Sequence, residues 1–116
     1  MENLADDPFI LIGPPGTGLY DETIAACKAA GIVPKLGQPA PRITSTLSLV
    51  AAGLGIAVIP STMQSVRMAG VVYRRLSAPV PKAFLGLAFR RNDASPVLKQ
   101  FLRVVRTIAK ASPEIR

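Results

Sequence analysis

An α/β fold is predicted by three features of the sequence. Short, uninterrupted apolar runs at Phe9 to Ile12, Gly55 to Ile59 and Val71 to Tyr73 suit strands covered on both faces, because a strand with one wet face would alternate. Between them lie segments whose apolar residues return every three or four positions, the period of a half-buried helix. Glycines and prolines punctuate the boundaries, giving an order of strand, helix, strand, helix. Strands joined through helices favour parallel pairing.

Residues 1–7 form an extended lead-in, since Pro8 disfavours helix at Asp7. The first strand, Phe9 to Ile12, runs into the loop Gly13-Pro14-Pro15-Gly16-Thr17-Gly18. A helix follows over Tyr20 to Ala30: Tyr20, Ile24 and Cys27 share a face, Asp21 and Glu22 sit where the dipole favours acids, and Gly31 supplies the stop. Cys27 is thereby placed as a small core residue. A second strand spans Ile32 to Leu36, with Pro34 pushing it toward a sheet edge.

After the turn-rich Gly37 to Pro41, a second helix covers Arg42 to Ala52, with Ile43, Leu47, Val50 and Ala51 on one face and Gly53 as its end. The third strand, Gly55 to Ile59, closes at Pro60, a helix is predicted from Ser61 to Met68, and a fourth strand starts at Val71. Ser77-Ala78-Pro79-Val80-Pro81 is a proline-spaced connector. Beyond it, Phe84 to Phe89 is predicted as a fifth strand, and Ser95-Pro96 opens the clearest helix, with Ser as N-cap and Pro at the first helical position. Val97, Leu98, Phe101, Leu102, Val105, Ile108 and Ala109 form its apolar face, and Lys99, Arg103, Arg106 and Lys110 a basic stripe opposite.

Composition narrows the function classes. With 116 residues the chain is one domain or part of one. No apolar run approaches the roughly 18 residues of a membrane span, and the acidic start, Met1 to Asp7, lacks the features of a secretory signal. A cytoplasmic location is the expectation. One cysteine excludes an internal disulfide. The lack of histidine excludes a Ser/His/Asp or Cys/His catalytic set and leaves no zinc-ligand set. Ser61 lacks the glycines of a nucleophile elbow, and five of the seven acidic residues cluster near the N-terminus in polar surroundings. Neither an enzyme nor a cofactor is expected.

The net charge of +7 raises nucleic acid as a partner, but most basic residues are scattered from Arg67 onward with no interleaved aromatics to stack on bases. A solvated basic face is the better reading. The Gly/Pro loop itself reads like the start of a P-loop, but Leu19 and Tyr20 stand where that motif needs Lys and then Ser or Thr. There is accordingly no charge for the terminal phosphates and no magnesium ligand. A strand, a glycine turn and a helix N-terminus still offer backbone N–H groups to an anion.

Three stretches together resemble the effector-binding domain of LysR-type bacterial transcriptional regulators, specifically its C-terminal half. They are Asp7 to Leu11 with the loop and Leu19-Tyr20-Asp21; Leu49-Val50-Ala51-Ala52-Gly53-Leu54-Gly55-Ile56-Ala57-Val58-Ile59-Pro60; and Gly70-Val71-Val72-Tyr73-Arg74-Arg75-Leu76, followed by a strand and the Ser95-Pro96 helix start.

The resemblance implies a type 2 periplasmic-binding-protein-like fold, two α/β subdomains with a ligand cleft between them. Residues 8–76 would be most of the second subdomain, 77–81 a hinge crossing, 82–111 a strand and helix belonging to the first subdomain, and 112–116 a tail. It implies a small organic acid as effector, with Gly18, Tyr20 and Thr44 at the site. Without that role Gly18 is a turn glycine, Tyr20 a core aromatic and Thr44 a first-turn helix residue. The 116 residues hold no counterpart of the family's winged helix-turn-helix, so DNA contact by that mode would need a part not in this chain. A solute-binding component of a transporter shares the architecture and is the alternative, with a degenerate P-loop NTPase fragment behind it. The apolar face of the last helix, without its usual sheet, implies self-association, by exchange of the C-terminal strand and helix between copies.

Overall fold

The computed structural model describes residues 4–77 and 80–111. The start of the lead-in (1–3), two residues of the expected hinge crossing (78–79) and the tail (112–116) lie outside the described residues. The chain divides into two compact units, Met1–Ala83 and Phe84–Arg116.

The first unit is built on the apolar run that opens the chain. Strand β1 (Pro8–Phe9) pairs in parallel with β2 (Lys35–Leu36), Pro8 opposite Lys35 and Phe9 opposite Leu36. The same line continues past the ladder: Gly37 N–H donates to Phe9 O (2.8 Å), Ala40 N–H to Leu11 O (3.2 Å) and Gly13 N–H to Ala40 O (2.8 Å). A parallel bridge joins Ile12 to Ala40. On the other side, Ile56 N–H donates to Pro8 O and Ile10 N–H to Ile56 O, both at 2.8 Å. Residues 8–13 are thus the middle of a small parallel sheet, between 35–40 on one edge and Ile56 on the other.

That position explains the composition of the run. Successive residues of a strand point to opposite faces, yet Phe9 and Ile10 are each 1% exposed and Leu11 is buried beside them. Both faces are covered, as an uninterrupted apolar run requires. Phe9 and Leu11 form a core with Cys27 and Ile32, against which Tyr20, Ile24, Ile56 and Val58 pack.

Two helices flank the sheet in sequence, α1 (Gly18–Ala29) and α2 (Ile43–Ala51). Their buried faces carry Thr23, Ala26 and Cys27 in α1, and Thr46 and Leu47 in α2. The two buried hydroxyls are satisfied within their own helices: Thr23 Oγ1 donates to Leu19 O (2.7 Å) and Thr46 Oγ1 to Arg42 O (2.9 Å). The two helices end alike. Gly31 N–H donates to Lys28 O and Ile32 N–H to Cys27 O, while Gly53 N–H donates to Val50 O and Leu54 N–H to Leu49 O. Both glycines have positive φ, and the pattern is the Schellman stop that favours glycine.

The regular strands are shorter than the sequence predicts, for identifiable reasons. Pro34 has no N–H to donate and Ile32 N–H turns back to the end of α1, so the second strand is confined to Lys35–Leu36. The third strand, predicted from Gly55 to Ile59, reduces to the bridge at Ile56. The helix predicted from Ser61 to Met68 is a 3-10 helix, Ser61–Ser65, starting after Pro60. The predicted fourth strand at Val71 to Tyr73 does not form. Val71 N–H donates instead to Met68 O, and the Tyr73 hydroxyl to Val66 O.

In the second unit, α3 (Pro96–Ala111) forms as its Ser-Pro start predicts. Asp93 Oδ1 accepts from Ser95 N–H at 2.9 Å, Ser95 Oγ accepts from Leu98 N–H at 3.5 Å, and Lys99 N–H donates to Ser95 O at 3.1 Å. The predicted fifth strand, Phe84 to Phe89, is not a strand. A strand exists only through its ladder, and no described residue pairs with this segment.

Candidate functional site

The carboxyl end of the small sheet is where the loops and helix starts converge. The chain leaves the sheet at Ile12 and reaches α1 through residues 13–17; it leaves again at Ala40 and reaches α2 after two residues. Because Ile12 and Ala40 are bridged in parallel, both helices begin from the same edge. Ligands of open parallel sheets bind in this place, outside the carboxyl ends of the strands.

The loop before α1 is held by its own residues. Thr17, at the N-cap, turns its hydroxyl back onto Pro14 O (2.7 Å), and its N–H donates to the same oxygen (3.2 Å). Asp21 Oδ1 accepts from Gly16 N–H at 3.0 Å. Among the described residues, nothing accepts a hydrogen bond from the N–H groups of Gly18, Leu19 and Tyr20 at the start of α1, or from those of Ile43 and Thr44 at the start of α2. Helix geometry leaves such donors unmet, and together with the aligned peptide dipoles they carry roughly half a positive charge per helix end. At α2, Ser45 Oγ accepts from Arg42 N–H (3.2 Å) and donates to Arg42 O (2.8 Å), fixing the entry of the chain.

The three residues named from the sequence fall differently on this frame. Gly18 is the first residue of α1, exposed, with open space where a side chain would begin. Thr44 is exposed in the first turn of α2, so the Ile12–Ala40 bridge brings its helix start to the edge from which Gly18's helix also begins. Tyr20 is half-buried and packs against the core cluster, so part of its ring serves the core.

Two charged groups at this edge were not named as site residues from the sequence. Arg42, the N-cap residue of α2, is exposed and has no carboxylate partner among the described residues. Asp21 brings a negative charge to the opposite loop. The signal for Arg42 was a lone cation directly before a helix after a proline-rich turn; nothing local says which sheet edge it would reach.

The chemistry of the unit is otherwise sparse. Cys27 is fully buried, and burial pushes its thiol pKa up, which keeps it a neutral core residue rather than a nucleophile. Among the described residues no three of His, Cys, Asp and Glu converge on a metal position. No helix among them is long and apolar enough to cross a membrane.

Comparison with known proteins matches the sequence to one family. The profile described as LysR substrate binding domain covers residues 1–110, and the chain belongs to that family. Its curated relatives include the HTH-type transcriptional regulator AlsR of Bacillus subtilis (strain 168), 29% identical over 105 residues, 90% of this chain and 35% of the relative. Another is the HTH-type transcriptional regulator IlvR of Caulobacter vibrioides, 34% identical over 103 residues, 88% of this chain and 34% of the relative. The HTH-type transcriptional regulator BudR of Raoultella terrigena is 30% identical over 100 residues, 84% of this chain and 34% of the relative. The chain therefore spans about a third of the length of these relatives.

Proposed function

We propose that this chain is the effector-sensing part of a LysR-type transcriptional regulator, which binds a small organic acid at the edge where α1 and α2 begin. The observation that carries the reading is the Ile12–Ala40 bridge, which starts two helices with unmet N–H donors from one end of one sheet. Anions suit such an edge, because the donors and both dipoles favour negative charge without any catalytic group.

In this reading residues 8–76 are most of the second subdomain of a type 2 periplasmic-binding-protein-like fold. Residues 77–81 are a hinge crossing, and 82–111 belong to the first subdomain. Gly18 lets the acid approach the backbone at α1, Thr44 offers its hydroxyl at α2, and the exposed edge of Tyr20 borders them. Arg42 supplies the charge that the helix ends only partly provide. The protein senses rather than catalyses, works in the cytoplasm, and reaches DNA through a winged helix-turn-helix outside these 116 residues. Leu19 and Tyr20 in the first turn of α1 give a nucleotide neither a lysine nor a magnesium ligand.

The test is a panel of aliphatic and aromatic carboxylates read by thermal shift and calorimetry. At least one acid should raise the melting temperature, and Arg42→Ala should weaken it by about tenfold, the effect of losing one charge-assisted contact. A shift produced by a nucleotide with magnesium, with none from any acid, would overturn the reading.

A further inference from the structure

Helix α3 gathers charge that the sequence spreads out. The unit Phe84–Arg116 holds seven basic and two acidic residues, and so carries five of the chain's seven net positive charges. Within α3 there are four cations and no carboxylate: Lys99, Arg103, Arg106 and Lys110, at spacings of four, three and four. Such steps return to one side of a helix, and at 1.5 Å per residue the row is about 16 Å long. All four side chains are exposed, and none has a carboxylate partner among the described residues. With Leu102 and Thr107 they border a shallow, open depression along the helix.

A face that only has to stay wet does not call for this arrangement. Like charges four residues apart repel, and a face of mixed sign would be equally soluble while adding attraction along the helix. A row of one sign keeps its repulsion until an anion relieves it. The layout also discriminates between anionic surfaces. A helix lying on a membrane sets its cations beside the apolar face that it buries, whereas Val97, Phe101, Val104 and Ile108 lie roughly 160° around α3 from the row. Single-stranded nucleic acid is held by aromatic side chains on which bases stack, and the depression has none in its lining. An acidic protein helix would need carboxylates in a matching row. Duplex DNA needs neither device: it carries one phosphate charge per about 1.7 Å of axis, roughly nine over the length of the row, and meets a straight line of cations whatever its base sequence.

We infer that Lys99, Arg103, Arg106 and Lys110 form a contact for the phosphate backbone of duplex DNA, blind to sequence and additional to any helix-turn-helix. The choice of DNA among polyanions rests on the regulator reading. The curated relatives are HTH-type transcriptional regulators of which the chain spans about a third, and a DNA-binding part elsewhere in the same protein would hold a duplex at high effective concentration near α3. The contact itself belongs to the second unit and needs no effector. It supplies affinity and orientation, and leaves base recognition to other parts.

Fluorescence anisotropy of a labelled random-sequence duplex, titrated with the full chain and no organic acid, tests this. Between about 50 and 200 mM salt the affinity should fall about a hundredfold, the slope of about four neutralised phosphates. Lys99→Gln, Arg103→Gln, Arg106→Gln and Lys110→Gln together should abolish binding at the low-salt end, and Arg103→Gln alone should reduce the slope by about 0.9. Gln is as good a helix former as Lys or Arg, and circular dichroism checks that α3 persists. Taking the same charge from the first unit is the control. Lys28→Gln, Arg67→Gln, Arg74→Gln and Arg75→Gln together, all at exposed positions, should leave the slope as it was. Equal losses from the two sets would mean that net charge alone binds, and would overturn the proposal. So would no binding at low salt, equal affinity for polyglutamate of the same charge, tighter binding to a single strand, or a preference for anionic vesicles. Since no acid enters these titrations, a carboxylate panel without a hit overturns the effector reading and leaves this contact standing, and a duplex that fails to bind does the reverse.

Discussion

The two units of the chain treat similar residues in opposite ways. In the first, the apolar run through Phe9, Ile10 and Leu11 is buried on both faces. In the second, the equally apolar Phe84 to Phe89 runs exposed, with Leu85 at 91%, and no residue of α3 is buried. Composition does not separate them; partners do. Residues 8–13 have backbone partners on both sides, at 35–40 and at Ile56, and the ladder that satisfies their peptide groups also brings the helices that cover their side chains. Phe84 to Phe89 has no such ladder among the described residues.

The contrast is broken most sharply at glycines. Gly55 sits with φ +154, and a Cβ there would press on the carbonyl oxygen of Pro8 and, at 3.3 Å, on Ile10 Cγ1. That oxygen accepts the N–H of Ile56, so the clash falls on the bond joining the third segment to the sheet. Overpacking and backbone strain each cost about 1–3 kcal/mol. Gly55→Ala should therefore destabilise the first unit by about 3 kcal/mol or more, read by urea unfolding. Gly86→Ala in the second unit, where nothing lies within 4 Å, should change stability by less than about 0.5 kcal/mol.

Side-chain truncation asks the same question with a slightly smaller effect. Leu47 is 2% exposed on the buried face of α2, and Leu47→Ala should cost about 2–4 kcal/mol in transfer and cavity terms. Leu85→Ala should cost almost nothing in the monomer. If the two losses proved equal, Phe84 to Phe89 would be packed in solution and the contrast between the units would fall. Smaller again is the cap of α3. Ser95→Ala removes the acceptor for Leu98 N–H and should lower helical signal from the second unit at a cost of about 1 kcal/mol, leaving the unfolding of the first unit unchanged.

The same contrast sets what was legible in the sequence. Periodicity and stop signals are local, so α1, α2 and α3, the glycines that end the first two and the Ser95 cap of the third could all be read from it. The continuity of Phe9 to Ile12 correctly implied burial on both faces. Ladder lengths are not local. Two-residue strands at Pro8–Phe9 and Lys35–Leu36, a lone bridge at Ile56 and the unpaired Phe84 to Phe89 depend on what each segment meets, and β-propensity carries none of that. The candidate site divides in the same way. Gly18 and Thr44 could be named as first-turn residues of two helices, but the edge they share rests on a backbone bridge between Ile12 and Ala40, distant in sequence and set only by the pairing. Arg42 went unnoticed for that reason, and the packing of Tyr20 on the core could not be told from a ligand contact.

The thiol of Cys27 gives the finest measure of how closed the first unit is. Burial holds its pKa above the ordinary value of 9.0, so the folded chain keeps its proton at a pH where the unfolded chain has released it. Stability from this source is complete below pH 9.0, the unfolded value, and falls as pH rises toward the folded one. The slope there is at most about 1.4 kcal/mol per pH unit, one proton's worth. Urea unfolding between neutral pH and pH 10 should show this decline, and Cys27→Ala, less stable overall because of the cavity, should lack its share of it. The rate of thiol labelling separates the two units within a single chain. Cys27 should react only through opening of the first unit, slowed by orders of magnitude relative to an unfolded thiol, while a cysteine placed by Leu85→Cys should label at once. Prompt labelling of Cys27 would mean that the core of Phe9, Leu11 and Ile32 opens as readily as the bare segment beyond it, and the difference between the units would then be one of shape and not of stability.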